Sequence, residues 1–133
     1  MILGIGSDIV DIRRIERLAM RFGKKFEERI FTAKEIAKAD IRGEGRYAIL
    51  AKRFAAKEAC AKALGTGIGQ NISWWEISVS NDSGGAPDIS LSGNATERLK
   101  KLTPVGMKAH VHISMSDEYP MAQAFVVISA VSL

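Results

Sequence analysis

Two carboxylates in this chain stand where a carboxylate needs a reason. At about 100° per residue, Leu50, Ala51, Phe54, Ala55 and Ala61 form one apolar arc of a helix; Glu58 falls inside the arc, and Lys62 lies at its edge one turn later. A carboxylate on an apolar face is costly unless a charge or a metal neutralises it. An i,i+4 pair between Glu58 and Lys62, worth a few tenths of a kcal/mol, accounts for the anomaly as well as a functional role does. The second carboxylate is Asp8, in Gly6-Ser7-Asp8-Ile9-Val10-Asp11. Asp11 is explained as a helix cap. Asp8 has no such duty, and at the end of a strand it can serve a hard cation such as magnesium, with a turn-forming aspartate as the simpler alternative.

Two further features bear on anions. Gly65-Thr66-Gly67-Ile68-Gly69 follows the helical run directly; glycines let a backbone approach phosphate oxygens and present its amides as a nest. It is not a P-loop, because no G-K-[ST] follows, and a glycine-rich helix exit is ordinary. Arg14, Arg17, Arg21 and Lys24 recur at three- or four-residue spacing, off the Ile12, Ile15, Ala19 and Phe22 face. Such a stripe is usually a solvated face, but here only Glu16 interrupts its first two turns, which suits an acidic partner. His110 and His112 share a strand face without a third metal ligand. Cys60, in an alanine-rich helical run, reads as a small buried thiol.

The elements that must position these groups follow from periodicity and caps. A short strand is expected over 2–6, then a helix capped by Asp11. Thr32 and Glu35 form a capping box for a helix starting near Ala33. A long helix runs from about Tyr47 to Leu64 and stops at Gly65. Trp75, Ile77 and Val79 alternate with polar residues as a half-buried strand, with Trp74 and Trp75 on opposite faces. The turn Asn81–Pro87 leads into Ile89 and Leu91, and a helix starts at Asn94. Ala109, Val111, Ile113 and Met115 line one strand face opposite His110, His112 and Ser114, and Met121 to Val131 form a last apolar strand. Helices early and strands late predict an α+β fold, an antiparallel sheet packed on the long helix.

With 133 residues, the chain fits one domain, 1–133. No apolar run approaches the ~20 residues that cross a bilayer, and the apolar start, Met1 to Gly6, is too short for a signal sequence. The single cysteine excludes an internal disulfide and suits a reducing cytoplasm. A net charge of +4 and a pI of about 9.4 direct attention to acidic partners. A nucleic-acid-binding module would use the basic stripe but leaves Glu58 without a purpose, and a structural trimerisation module would show no dependence on magnesium.

Taken together, Gly4-Ile5-Gly6-Ser7-Asp8-Ile9-Val10-Asp11-Ile12 and Arg53-Phe54-Ala55-Ala56-Lys57-Glu58-Ala59-Cys60-Ala61-Lys62-Ala63-Leu64-Gly65-Thr66-Gly67 resemble the holo-acyl-carrier-protein synthases, the small bacterial class of 4′-phosphopantetheinyl transferase. The resemblance extends over nearly the whole chain. It implies transfer of 4′-phosphopantetheine from coenzyme A to a serine of acyl carrier protein, with adenosine 3′,5′-bisphosphate leaving, in support of fatty acid biosynthesis. It further implies a homotrimer with sites in clefts between subunits. Asp8 and Glu58 would hold magnesium, with Lys62 neutralising the coenzyme A phosphates. Arg53, Gly65, Thr66, Gly67 and Pro87 would border the nucleotide, and Arg14, Arg17, Arg21 and Lys24 would dock the carrier. Glu58, or a water on the metal, would take the serine proton. Two positions depart from the family pattern: Met115 stands where many members have histidine, and Ala86 where lysine is common before Pro87. Both weaken phosphate contacts from those positions.

Overall fold

The computed structural model describes residues 1–69 and 71–133. Strand β1 (Ile2–Asp11) leads into helices α1 (Ile12–Phe22), α2 (Lys24–Ile30) and α3 (Ala33–Asp40), then the long α4 (Arg46–Ala63). The hairpin β2 (Ile77–Asn81) and β3 (Pro87–Leu91), helix α5 (Gly93–Leu102), and strands β4 (Met107–Glu118) and β5 (Met121–Ser132) complete the fold. The expected α+β architecture holds. β1, β5 and β4 form an antiparallel sheet in that order, with α4 across one face, and β2 and β3 make a separate two-stranded ribbon.

Several local expectations hold for the reasons given. Asp11 accepts the Arg13 amide and caps α1. Thr32 Oγ1 accepts the Glu35 amide while Glu35 Oε1 accepts the Thr32 amide, the reciprocal box. β4 alternates as read, with Ala109, Val111, Ile113 and Met115 toward the helix side and the histidines outward. His112 Nε2 lies 2.8 Å from Ser129 Oγ.

Others need correction. β1 does not end at Gly6; β5 offers it partners as far as Asp11, opposite Met121, so tertiary pairing carries the strand past the weak alternation of its start. The basic stripe does not lie on one helix, because Gly23, with φ of 61°, ends α1 and places Lys24 on α2. Phe22, assigned to the buried seam, is exposed in that last turn beside the Arg21 guanidinium. Trp74 and Trp75 sit in a single 3₁₀ turn ahead of β2, Trp74 half-buried and Trp75 exposed with its indole N–H donating to the Glu28 carbonyl. The helix after the ribbon begins at Gly93, one residue earlier than expected, with Ser92 at the N-cap position making no side-chain cap bond.

The long helix differs most from its expected form. It is not amphipathic with one apolar arc but buried on most sides, Arg53 and Lys57 included. Alanines at 51, 55, 56, 59, 61 and 63 let neighbouring elements approach closely all round.

Candidate active site

β1 lies directly on α4 because two of its residues have no side chain. A Cβ on Gly6 would sit 2.0 Å from the Ala59 carbonyl oxygen, and one on Gly4 the same distance from that of Ala63. Alternate strand residues share a face, so Asp8, two residues beyond Gly6, is delivered to the same side as α4. This gives the Gly-x-Asp spacing its physical content. On α4, Glu58 precedes Ala59, and Lys62 lies one turn on. Asp8, Glu58 and Lys62 are thus brought together by one strand–helix contact.

Lys62 Nζ donates to Asp8 Oδ1 at 3.1 Å and to the Ser7 carbonyl at 2.9 Å. The i,i+4 pairing with Glu58 is not what forms. Glu58 is half-buried and has no ion-pair partner among the described residues. Burial first, then the nearby Asp8 charge, push the Glu58 carboxyl above its ordinary range, while Lys62 and Arg14 pull it back. Ser7, Asp8, Lys62, Gln123 and Phe125 line an open depression of about 560 Å³.

Asp8 lines this depression, and its charge is felt by half-buried Glu58 nearby; two neighbouring carboxylates of this kind invite a divalent cation. No group of three or more histidine, cysteine, aspartate or glutamate side chains is found among the described residues. Magnesium retains several waters and takes one or two carboxylates beside substrate phosphates, so Asp8 and Glu58 fit it.

The glycine-rich turn does not present a nest. The Gly65 amide donates to the Lys62 carbonyl, and those of Thr66 and Gly67 both donate to the Ala61 carbonyl. All three terminate α4, with Gly65 and Gly67 at positive φ. They shape a surface without offering free donors.

Arg53 lies on the opposite side of α4 from Lys62, nine residues or about 180° away. It is 4% exposed and donates to Asn81 Oδ1 at 2.9 Å, and its Nε has no hydrogen-bond partner among the described residues. Burial lowers its pKa, partly offset by the Glu35 charge. Lys38, Arg42, Arg53, Asn81, Asp82 and Met115 surround a basic recess of about 390 Å³. Asn81 also donates to the Gly85 carbonyl, and Asp82 accepts the Gly84 and Ala86 amides, which fixes the turn leading to Pro87.

Between these regions sits a group that periodicity missed. Lys57 and Glu35 are both fully buried. Lys57 Nζ lies 2.7 Å from Glu35 Oε1 and donates to the Trp74 carbonyl at 3.0 Å, while Glu35 Oε2 accepts the Val79 amide at 2.8 Å. One ion pair therefore ties α4 to the start of α3, to β2 and to the tryptophan turn. The available signal was Glu35 itself, an acid whose capping role used only one of its oxygens.

The chain resembles known proteins of one family. Residues 4–124 match the model of the 4′-phosphopantetheinyl transferase superfamily. A holo-[acyl-carrier-protein] synthase of Sinorhizobium medicae is 55% identical over 130 residues, spanning 98% of this chain and 93% of the relative. The crystal structure of holo-[acyl-carrier-protein] synthase from Neisseria meningitidis superimposes with a TM-score of 0.84 at 42% identity, covering 97% of this chain and 99% of that one. The Helicobacter pylori synthase in complex with coenzyme A gives 0.76 at 35% identity, over 94% and 99% of the two chains. The glycine-gauged pair of carboxylates, the lysine beside them and these likenesses together place the chain in the 4′-phosphopantetheinyl transferase superfamily, among its holo-[acyl-carrier-protein] synthases.

Proposed function

We infer that this protein transfers 4′-phosphopantetheine from coenzyme A to a serine of apo acyl carrier protein, releasing adenosine 3′,5′-bisphosphate. The observation that carries this reading is the convergence of Asp8, Glu58 and Lys62 at the β1–α4 contact. The serine Oγ attacks the β-phosphorus of coenzyme A. A new O–P bond forms, the bond from that phosphorus to the bridging oxygen breaks, and the bridging oxygen leaves with the nucleotide. Asp8 and Glu58 would hold magnesium, which when bound supplies positive charge for the phosphoryl oxygens. Lys62 adds a second cation there, exchanging its Asp8 contact for phosphate. Glu58 has a second oxygen with which to accept the serine proton.

The site is shared between copies of the chain, as a homotrimer. Lys62 and the basic recess around Arg53 lie on opposite sides of a helix ~10 Å across, so one chain cannot close both on one nucleotide. Two neighbours can, one giving Asp8, Glu58, Lys62 and the Gly65–Gly67 surface, the other Arg53 and the turn at Pro87. The face of the sheet turned away from α4 carries exposed Ile5, Ile9, Phe125 and Val131, an apolar surface that a second copy would cover. Arg14, Arg17 and Arg21 on α1, with Lys24 on α2, receive the acidic carrier. Residues 1–133 work as one domain, and the setting is a reducing cytoplasm, where buried Cys60, its thiol pushed up to about 12, stays inert. Among the described residues, no helix is long and apolar enough to cross a membrane.

The test is to incubate the protein with coenzyme A, magnesium and apo acyl carrier protein and to weigh the carrier. The mass should rise by one phosphopantetheine, and a chelator should prevent it. An unmodified carrier at micromolar enzyme would overturn the reading.

A further inference from the structure

The four cations of the basic stripe are not held alike. Arg13, beside them, is tied to Asp11 of its own turn. Arg21 rests over Phe22 of its own helix, 5.1 Å from the ring centroid. Arg14 instead crosses to another element, its guanidinium carbon 5.7 Å from the centroid of Phe54 on α4. Phe54 is nearly buried and stacks on Trp74, with centroids 5.0 Å apart and planes at 29°. The Trp74 carbonyl receives Lys57 Nζ, so the platform under Arg14 is anchored to the buried ion pair. Glu58 is one helical turn beyond Phe54, on the same side of α4.

We propose that Phe54, backed by Trp74, is a positioning residue that holds Arg14 one turn from Glu58, so that Arg14 fixes where the carrier serine arrives. This rests on the reading that α1 receives the carrier. A carboxylate of the docked carrier that pairs with Arg14 is thereby indexed to the helix that bears Glu58. One that pairs with Arg21 is indexed only to α1. A planar guanidinium can lie on a ring and still offer N–H groups to a carboxylate, whereas an ammonium on a flexible stem does not keep that geometry. Arg14 thus acts on alignment in the transfer step as well as on encounter.

Two-substrate kinetics with single-turnover measurement test this. Arg14→Lys keeps the charge and should lower the transfer rate at saturating carrier by about tenfold, with the KM for coenzyme A unchanged. Phe54→Leu should produce a similar loss, and the double variant should be no worse than either single one, because both remove one interaction. Arg21→Lys should show its loss in the carrier KM instead. If the two losses multiply to about 100-fold, or if Arg14→Lys changes only the carrier KM as Arg21→Lys does, the positioning role is wrong. Should Phe54→Leu fold poorly, the contrast between the two surface arginine variants decides alone. Absence of transfer by the unsubstituted protein would strike the functional reading itself, a distinct outcome.

Discussion

Two glutamate–lysine combinations flank the same helix and differ in how far their bonding capacity is used. Between Glu35 and Lys57 both oxygens and the nitrogen have partners: the carboxylate accepts two backbone amides and an ammonium, and the ammonium also reaches a carbonyl. Both side chains are sealed from water. Around Glu58 and Lys62 the arrangement is open. Lys62 has gone to Asp8, Glu58 is left half-buried, and its carboxyl is raised by burial and by Asp8. A saturated buried pair is architecture, whereas an unsatisfied one facing solvent is ready for a ligand. Their adjacency, at residues 57 and 58, places the unsatisfied carboxylate directly beside the rigid pair.

The largest effects should come from the open side. Asp8→Asn and Glu58→Gln each remove the charge of a proposed metal ligand with almost no change of shape. Each should lower transfer at saturating magnesium by about 1000-fold or more, with a folded protein by circular dichroism. Near-normal turnover in either would erase the distinction drawn between the two regions.

The closed side should answer in stability. Lys57→Met leaves the Glu35 carboxylate buried without its cation and should cost about 3–5 kcal/mol in urea unfolding. Adding Glu35→Gln should restore part of this, because the buried charge is then gone, although only one of the two backbone amides keeps an acceptor. If the double variant is no more stable than Lys57→Met, the pair is not the unit described.

Lys62→Ala lies between the two. In the proposed role its ammonium meets phosphate in both ground and transition states, so the change should raise the KM for coenzyme A and lower kcat, about 10–100-fold in kcat/KM. A change confined to melting temperature would make Lys62 a partner of Asp8 and nothing more.

The smallest effect is the most diagnostic. A carboxyl whose folded pKa is raised binds protons more tightly in the native state, so stability falls as pH rises from the ordinary value of 4.5 through the raised one. In chelator, Glu58→Gln should therefore melt about 1–3 °C above the unsubstituted protein at pH 7.5, the scale of a fraction of a kcal/mol in a domain of this size. The gap should close at pH 4, and magnesium should reverse its sign at pH 7.5.

What the sequence made legible was local. The Asp11 cap, the Thr32–Glu35 box, the long helix and the alternation of β4 each depend on neighbours within a few residues, and each is found. The pairing of Asp8, Glu58 and Lys62 was reached only through the motif resemblance, since nothing in periodicity brings residue 8 to residue 62. The Glu35–Lys57 bond escaped for the same reason, compounded by treating α4 as one-sided. A helix rich in alanine packs on every side, and the arc that seemed to single out Glu58 was incidental. The amides of the glycine turn were misjudged because their acceptors are the end carbonyls of the preceding helix, a competition that composition does not reveal.

The seam between Gly4, Gly6 and α4 has one more consequence. Where side chains separate two elements, the gap between them follows every rotamer change in the layer. Here strand backbone meets helix backbone with nothing interposed, so the spacing from Asp8 to α4 contains no torsions of intervening residues. The seam works as a gauge block, keeping the site at a constant width while the surrounding side chains fluctuate. A single methyl group on Gly6 would reset that width.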